Sequence, residues 1–166
     1  DLMTEPFLCA YSDILFTTEI VEKLKNARSD MTLGVDTEWL ARYEHRTDHP
    51  PDDAEKVIVE GGRVVRVHRE IAADDAYGEY IGVAKFTPRG ASLLREHYHP
   101  VRKEYAGRTW REAKVFEKAY LILLMQEIDE VANGGTDTSH VIDPRPLGSV
   151  GFGGDNVLRR LAGGTG

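Results

Sequence analysis

Asp13 is the residue from which chemistry is easiest to argue. It follows the apolar run Phe7-Leu8-Cys9-Ala10-Tyr11, with Ser12 between. Such a short apolar run reads as a buried strand. Asp13 then stands at a strand's carboxyl edge, where open α/β sheets bind ligands. A carboxylate there can hold Mg2+ and, through it, phosphate oxygens, because Mg2+ takes few carboxylates and shares substrate phosphates. The same position also suits a helix N-cap, by Ser12 or Asp13, for a helix beginning near Ile14. The spacing leaves both roles open.

Other reactive residue types form no pattern. The lone cysteine, Cys9, excludes an internal disulfide and a cysteine-based zinc site. His45, His49, His68, His97, His99 and His140 show no spacing that demands a metal or a general base. His97 and His99 lie two apart and would not share a helix face. The stretch from Lys85 to Lys118 holds nine Lys/Arg against four Glu. It could receive phosphates, or simply be a solvated helix face.

The elements that would position these residues read as α/β. Phe7–Tyr11 is a strand, Ile14–Ala27 a helix with Leu15, Ile20, Val21 and Leu24 at roughly helical spacing, and Met31–Val35 a second buried strand ending at Asp36. That strand–helix–strand unit suits a parallel sheet with a crossover helix. Glu38–Glu55 is a polar stretch dotted with aromatics, and Pro50-Pro51 breaks any helix in it. A loop of that length is often functional. Lys56–Glu60, Gly61-Gly62 and Arg63–Val67 give a β-hairpin signal. Tyr80–Phe86 is another strand. Thr87 then caps a helix with Pro88 in its first turn. Trp110–Val131 reads as the longest helix, stopped by Asn133-Gly134-Gly135. His140–Asp143 reads as a strand and Val157–Leu161 as a short helix. Seven of the sixteen glycines lie from Gly148 onward, which suggests a loose end. The division expected is a main domain over 1–135 and a Gly-rich tail over 136–166.

The chain has 166 residues, 41% hydrophobic and 30% charged, with a net charge of −7. That suits one domain with a core and argues against wholesale disorder. Up to Glu79 there are eighteen acids and nine bases; afterwards the balance turns slightly positive. An acidic total speaks against a nucleic-acid binder. No apolar run approaches a membrane span, and Asp1–Glu5 lacks the features of a signal peptide. The expected setting is cytoplasmic, without nucleic-acid or membrane partners.

The order of four segments is more specific than any one of them. Tyr11-Ser12-Asp13-Ile14-Leu15-Phe16 comes first. Gly34-Val35-Asp36-Thr37-Glu38-Trp39 follows, with Tyr43 and Arg46 behind it. Asp53-Ala54-Glu55-Lys56-Val57 leads into the Gly-Gly hairpin. Gly78-Glu79-Tyr80-Ile81-Gly82-Val83-Ala84-Lys85-Phe86-Thr87 precedes a helix. Over roughly Leu8 to Ile128 this order resembles the CTP-dependent nucleotidyltransferases that activate phosphocholine or phosphonates, relatives of the sugar-phosphate nucleotidyltransferases.

The resemblance implies a Rossmann-like α/β fold, a mixed sheet with flanking helices, here lacking its N-terminal strands. It implies nucleotidyl transfer from CTP to a small phosphate or phosphonate acceptor, with Mg2+ as cofactor and pyrophosphate released. It makes Asp13 the catalytic metal ligand and places Tyr11 and Ser12 beside the nucleotide. It places Asp36, Trp39, Tyr43, Arg46, Glu79 and Tyr80 around the acceptor. An aromatic beside carboxylates suits a quaternary ammonium or an amine. The plain alternatives are packing under a loop for Trp39 and Tyr43, and an edge-strand charge for Glu79.

Two parts of the family pattern are missing from these residues. No Gly-rich loop with its Arg joins a strand to a helix to cradle a triphosphate. Where the family carries a Trp-x-Glu-Ile-Asp segment with a second metal ligand, this chain has Ser149-Val150-Gly151-Phe152-Gly153-Gly154-Asp155. Asp143 and Asp155 are possible substitutes. Glu127-Ile128-Asp129 matches in letters but falls inside the long helix. The expectation is therefore an incomplete nucleotidyltransferase, inactive alone, with homo-oligomerisation or a fused mutase domain as possible settings. The alternative is a non-catalytic binding or assembly module derived from that fold.

Overall fold

The computed structural model describes residues 3–44, 50–132, 139–142 and 151–152. In chain order the elements are β1 (Phe7–Ala10), β2 (Ile14–Leu15), α1 (Thr18–Asn26), β3 (Met31–Asp36), β4 (Lys56–Glu60), β5 (Arg63–His68), β6 (Gly78–Phe86), α2 (Pro88–Tyr105), α3 (Leu121–Ala132), β7 (Ser139–Ile142) and β8 (Gly151–Phe152). Six strands form one mixed sheet in the order β1-β6-β3-β7-β5-β4, and a further β4–β6 pairing closes the sheet on itself. β2 and β8 form a separate two-stranded piece.

β6 organises the sheet. It runs antiparallel to β1, β3 and β4. β1 and β3 are therefore parallel to each other, but β6 lies between them. The expected crossover unit exists, and its two strands are not neighbours. β1 covers residues 83–86 of β6, while β4 covers 78–79. β1 and β4 thus flank β6 end to end, and the sheet opens between Tyr11 and Glu55.

Alternation along the strands sorts the side chains into two faces. On one, Met31, Leu33, Val35, Tyr80, Ala84 and Phe86 build the main core with α2, α3, Trp110 and Phe116. On the other, Ile81 and Val83 pack against Ile20 and Leu24 of α1. Leu24 is fully buried, and its truncation to Ala costs about 2–5 kcal/mol. The ammonium of Lys85 donates to Ala27 O at 2.6 Å and Ser29 O at 3.2 Å, which ties the end of α1 to β6.

Local signals explain most element ends. Gly61 and Gly62, with φ of 58° and 83°, supply the left-handed pair that a two-residue hairpin turn needs. The Thr87 hydroxyl accepts from Gly90 N at 3.1 Å at the start of α2, as its sequence position implies. Two helix assignments are corrected. Ile14 and Leu15 pair with β8, so α1 starts only at Thr18, and Thr17, not Ser12 or Asp13, holds its N-cap position. The stretch from Trp110 is not helical: Trp110 and Ala113 form a tight bridge, residues 116–118 a single 3-10 turn, and α3 begins at Leu121. α2, with 18 residues, is the longest helix among the described residues. Apolar periodicity ran through the bridge because Trp110, Phe116 and Ala119 serve the same core without being helical. No helix of the described residues is long and apolar enough to cross a membrane.

Candidate functional site

The carboxyl ends of β1 and β3 and the start of β6 lie at one edge of the sheet. Three charged residues stand there in a row across three strands: Asp36 opposite Glu79, and Glu79 opposite Lys56. All three are buried. Each has a partner from the loop between β3 and β4. Asp36 accepts from Glu38 N at 2.9 Å and forms an ion pair with Arg42. Glu79 accepts from the Tyr43 hydroxyl at 2.7 Å. The Lys56 ammonium lies 5.9 Å from the Trp39 ring centre and donates to Arg69 O at 2.5 Å. Burial pulls Lys56 below the usual ammonium range, while Asp52 and Glu79 draw it back up. A buried charge is tolerable only when paired and hydrogen-bonded, and this row meets that condition.

Trp39 and Tyr43 are edge-to-face at 5.8 Å and form a small core with Ala54. Trp39 is only 2% exposed. Glu79, at 5%, is not an exposed edge charge. The sequence places Trp39 and Tyr43 here because a 3-10 turn over Trp39–Arg42 folds the loop back over β3 and β6.

On the opposite face of β6, Tyr11 and Tyr80 meet edge-to-face at 5.9 Å. The Tyr11 hydroxyl donates to Glu55 Oε2 at 2.8 Å, and Arg69 Nη2 donates to Glu55 Oε1 at 3.3 Å. Arg69 in turn lies 4.5 Å from the ring centre of Tyr120. Burial, then the Glu55 carboxylate, pushes the Tyr11 hydroxyl well above its ordinary pKa. Burial does the same to Tyr80, whose hydroxyl has no hydrogen-bond partner among the described residues. Gly82 makes the close packing possible. Its φ is 78°, and a Cβ there would sit 2.6 Å from Tyr11 Cδ2.

Ser12 and Asp13 lie exposed in the turn between β1 and β2. That turn rests over Gly82, because Tyr11 and Ile14 on either side of it both contact that glycine. Asp13 has no hydrogen bond among the described residues and is not a helix cap. The described residues hold no cluster of three or more His, Cys, Asp or Glu able to enclose a metal ion. A single exposed carboxylate fits a cation that takes its remaining oxygens from substrate and water. It does not fit a cation held in an all-protein cage.

The structure therefore joins Asp36, Trp39, Tyr43 and Glu79 on one face, and Tyr11 and Tyr80 on the other, with Ser12 and Asp13 at the rim. Arg46, Asp143 and Asp155 lie outside the described residues, as does Val157–Leu161. Sequence reasoning missed Arg42, Glu55, Lys56, Arg69 and Tyr120. Glu55 and Lys56 belonged to a quoted segment. A signal existed there: the opposite charges Glu55 and Lys56 stand side by side where the apolar run Val57-Ile58-Val59 of β4 begins.

No protein-family model matches the chain. The chain is similar to the CTP:phosphoglutamine cytidylyltransferase of Campylobacter jejuni, 25% identical over 130 residues, which are 78% of this chain and 50% of that protein. It thus spans about half the length of the curated relative it matches. It is also similar to the solved structure of the inositol-1-phosphate CTP transferase from T. maritima, with 21% identity and a TM-score of 0.51 over 84% of this chain and 45% of that one. The mixed sheet with flanking helices is the Rossmann-like fold of those transferases, as the motif order implied.

Proposed function

We propose that the chain is the acceptor-binding and metal-bearing part of a CTP-dependent nucleotidyltransferase. The observation that carries this reading is the row Asp36–Glu79–Lys56 at the sheet's carboxyl edge, roofed by Trp39 and Tyr43. It coincides with 130 residues of likeness to a cytidylyltransferase. Paired carboxylates beside aromatic rings suit an acceptor that carries a positively charged nitrogen as well as a phosphate or phosphonate. Phosphocholine and 2-aminoethylphosphonate have that form.

In the reaction, an acceptor phosphate oxygen attacks the α-phosphorus of CTP, the bond to the β-phosphate breaks, and pyrophosphate leaves. No covalent enzyme intermediate is needed. Asp13 would hold Mg2+, which neutralises charge building on the phosphates when bound. The residues around Glu79 position the acceptor, and the surrounding donors stabilise developing charge. These 166 residues contain no Gly-x-Gly-x-Arg loop to cradle the triphosphate. Turnover therefore calls on a segment beyond them. The same observation favours the second reading, a module that binds the acceptor without catalysing transfer.

The test is a pyrophosphate-release assay on the 166-residue chain with CTP, Mg2+ and each acceptor, alongside calorimetry of acceptor binding. Acceptor binding without turnover is expected. Robust turnover would overturn the partial-enzyme reading. Absence of acceptor binding would remove the site.

A further inference from the structure

The basic stretch of the sequence remains outside that reading, and it borders a cleft. α2, α3 and the segment between them enclose about 940 Å³ of open space. The floor is apolar and aromatic, formed by Leu94, Tyr98, Trp110, Phe116, Leu121 and Leu124. Tyr98 and Trp110 both contact Phe116, with ring centres 5.7 and 5.4 Å apart. Small-molecule sites have this character and this size, about 300–1,000 Å³.

The rim has the opposite chemistry. Arg95, His99 and Arg102 fall at i, i+4 and i+7 along α2, so one helical stripe carries all three. Arg102 lies over the Tyr98 ring at 6.0 Å, and the His99 ring meets the same tyrosine at 5.6 Å. Neither has an acidic partner among the described residues. The one acid at the cleft, Glu117, is taken up by the Gly107 amide at 3.1 Å. A chain of net charge −7 thus presents a locally cationic rim above an apolar floor.

We infer that this cleft binds a single-tailed amphiphile with an anionic head, its alkyl chain on the aromatic floor and its phosphate at Arg102 and His99. Charge complementarity selects the head, and the concave apolar floor selects a tail over a free phosphate. Tyr120 borders the cleft and also stacks on Arg69, which holds Glu55. An occupied cleft therefore reaches the Glu55–Tyr11 pair through two side chains, Tyr120 and Arg69. The cleft's occupancy does not depend on the nucleotidyltransferase reading.

The test uses the full chain and octyl phosphate below its micelle concentration, followed by calorimetry. Binding at one site per chain is expected, at least tenfold tighter than octanol, octyltrimethylammonium or inorganic phosphate. The exposed pair His99→Gln and Arg102→Gln is expected to weaken octyl phosphate at least tenfold and leave octanol unchanged. Leu121→Trp, which fills the cleft, is expected to weaken both, with circular dichroism reporting an intact fold. Equal binding of octyl phosphate and octanol would overturn the inference. So would octyl phosphate binding untouched by the double variant, binding seen only with micelles, or octyl phosphate displaced by self-association of the chain.

Discussion

Tyr11 and Glu55, separated by 44 positions in sequence, are hydrogen-bonded at 2.8 Å where β1 ends and β4 begins. The two strands flank β6 in line, so this side-chain pair bridges the opening between them. Tyr11→Phe removes the bridge and leaves Glu55 to Arg69 alone. A loss of about 1–3 kcal/mol is expected, the cost of a buried acceptor deprived of a donor. Urea unfolding checks it, and an unchanged midpoint would show that the pair adds nothing to the closure.

Tyr11 and Tyr80 both have hydroxyl pKa values raised by burial. The folded state thus favours the protonated phenols. Their contribution to stability is complete below about pH 10, the ordinary tyrosine value, and is lost as pH rises beyond it. In an absorbance titration at alkaline pH, these two of the seven tyrosines are expected to ionise only with unfolding. Tyr11→Phe and Tyr80→Phe should each remove one phenol from that late phase. Seven phenols ionising reversibly with the fold intact would contradict this.

Gly82→Ala combines an unfavourable φ with a collision against the Tyr11 ring. Gly61→Ala meets only the unfavourable φ, since nothing lies within 4 Å of its Cβ position. The first is expected to cost more than the roughly 1 kcal/mol of the second. Thermal melts of the two variants side by side decide it; equal shifts would mean that Tyr11 yields freely.

Glu79→Gln tests the proposed acceptor face. The amide keeps the shape and a hydrogen bond to Tyr43 while removing the charge that would attract a cationic nitrogen. Calorimetry with 2-aminoethylphosphonate is expected to show affinity lower by about tenfold, corresponding to about 1.4 kcal/mol. Unchanged affinity, with the fold intact by circular dichroism, would take Glu79 out of acceptor recognition.

The sequence revealed the hairpin, the Thr87 cap, the buried strand β3 and the start of the edge-of-sheet motifs, because each rests on local chemistry; β1, expected to be buried, is an edge strand of half-buried and exposed residues, because only one side of it is paired. Gly61-Gly62 needs only its own turn, and Thr87 only its own first helical turn. It did not reveal that β6 slides between β1 and β3, since antiparallel insertion leaves no local mark on either strand. It missed Glu55 for the same reason: the partners that make it a site residue, Tyr11 and Arg69, lie on other strands' ends. The long helix expected from Trp110 failed because the bridge at Trp110–Ala113 and the 3-10 turn bury the same apolar residues a helix would have buried.

The arrangement of partners around β6 also sets an order of events. Among the described residues, β1 bonds only to β6, β3 only to β6 and β7, and β4 and β5 pair across a two-residue turn. Among the described pairings of the main sheet, the first 77 residues hold one, the β4–β5 hairpin. Within these residues, β1 and β3 both depend on the nine-residue strand β6, which follows them in sequence. Non-local pairing of this kind is slow to form. Seating β1 and β3 on β6 is therefore the entropically costly step in closing the sheet among the described residues.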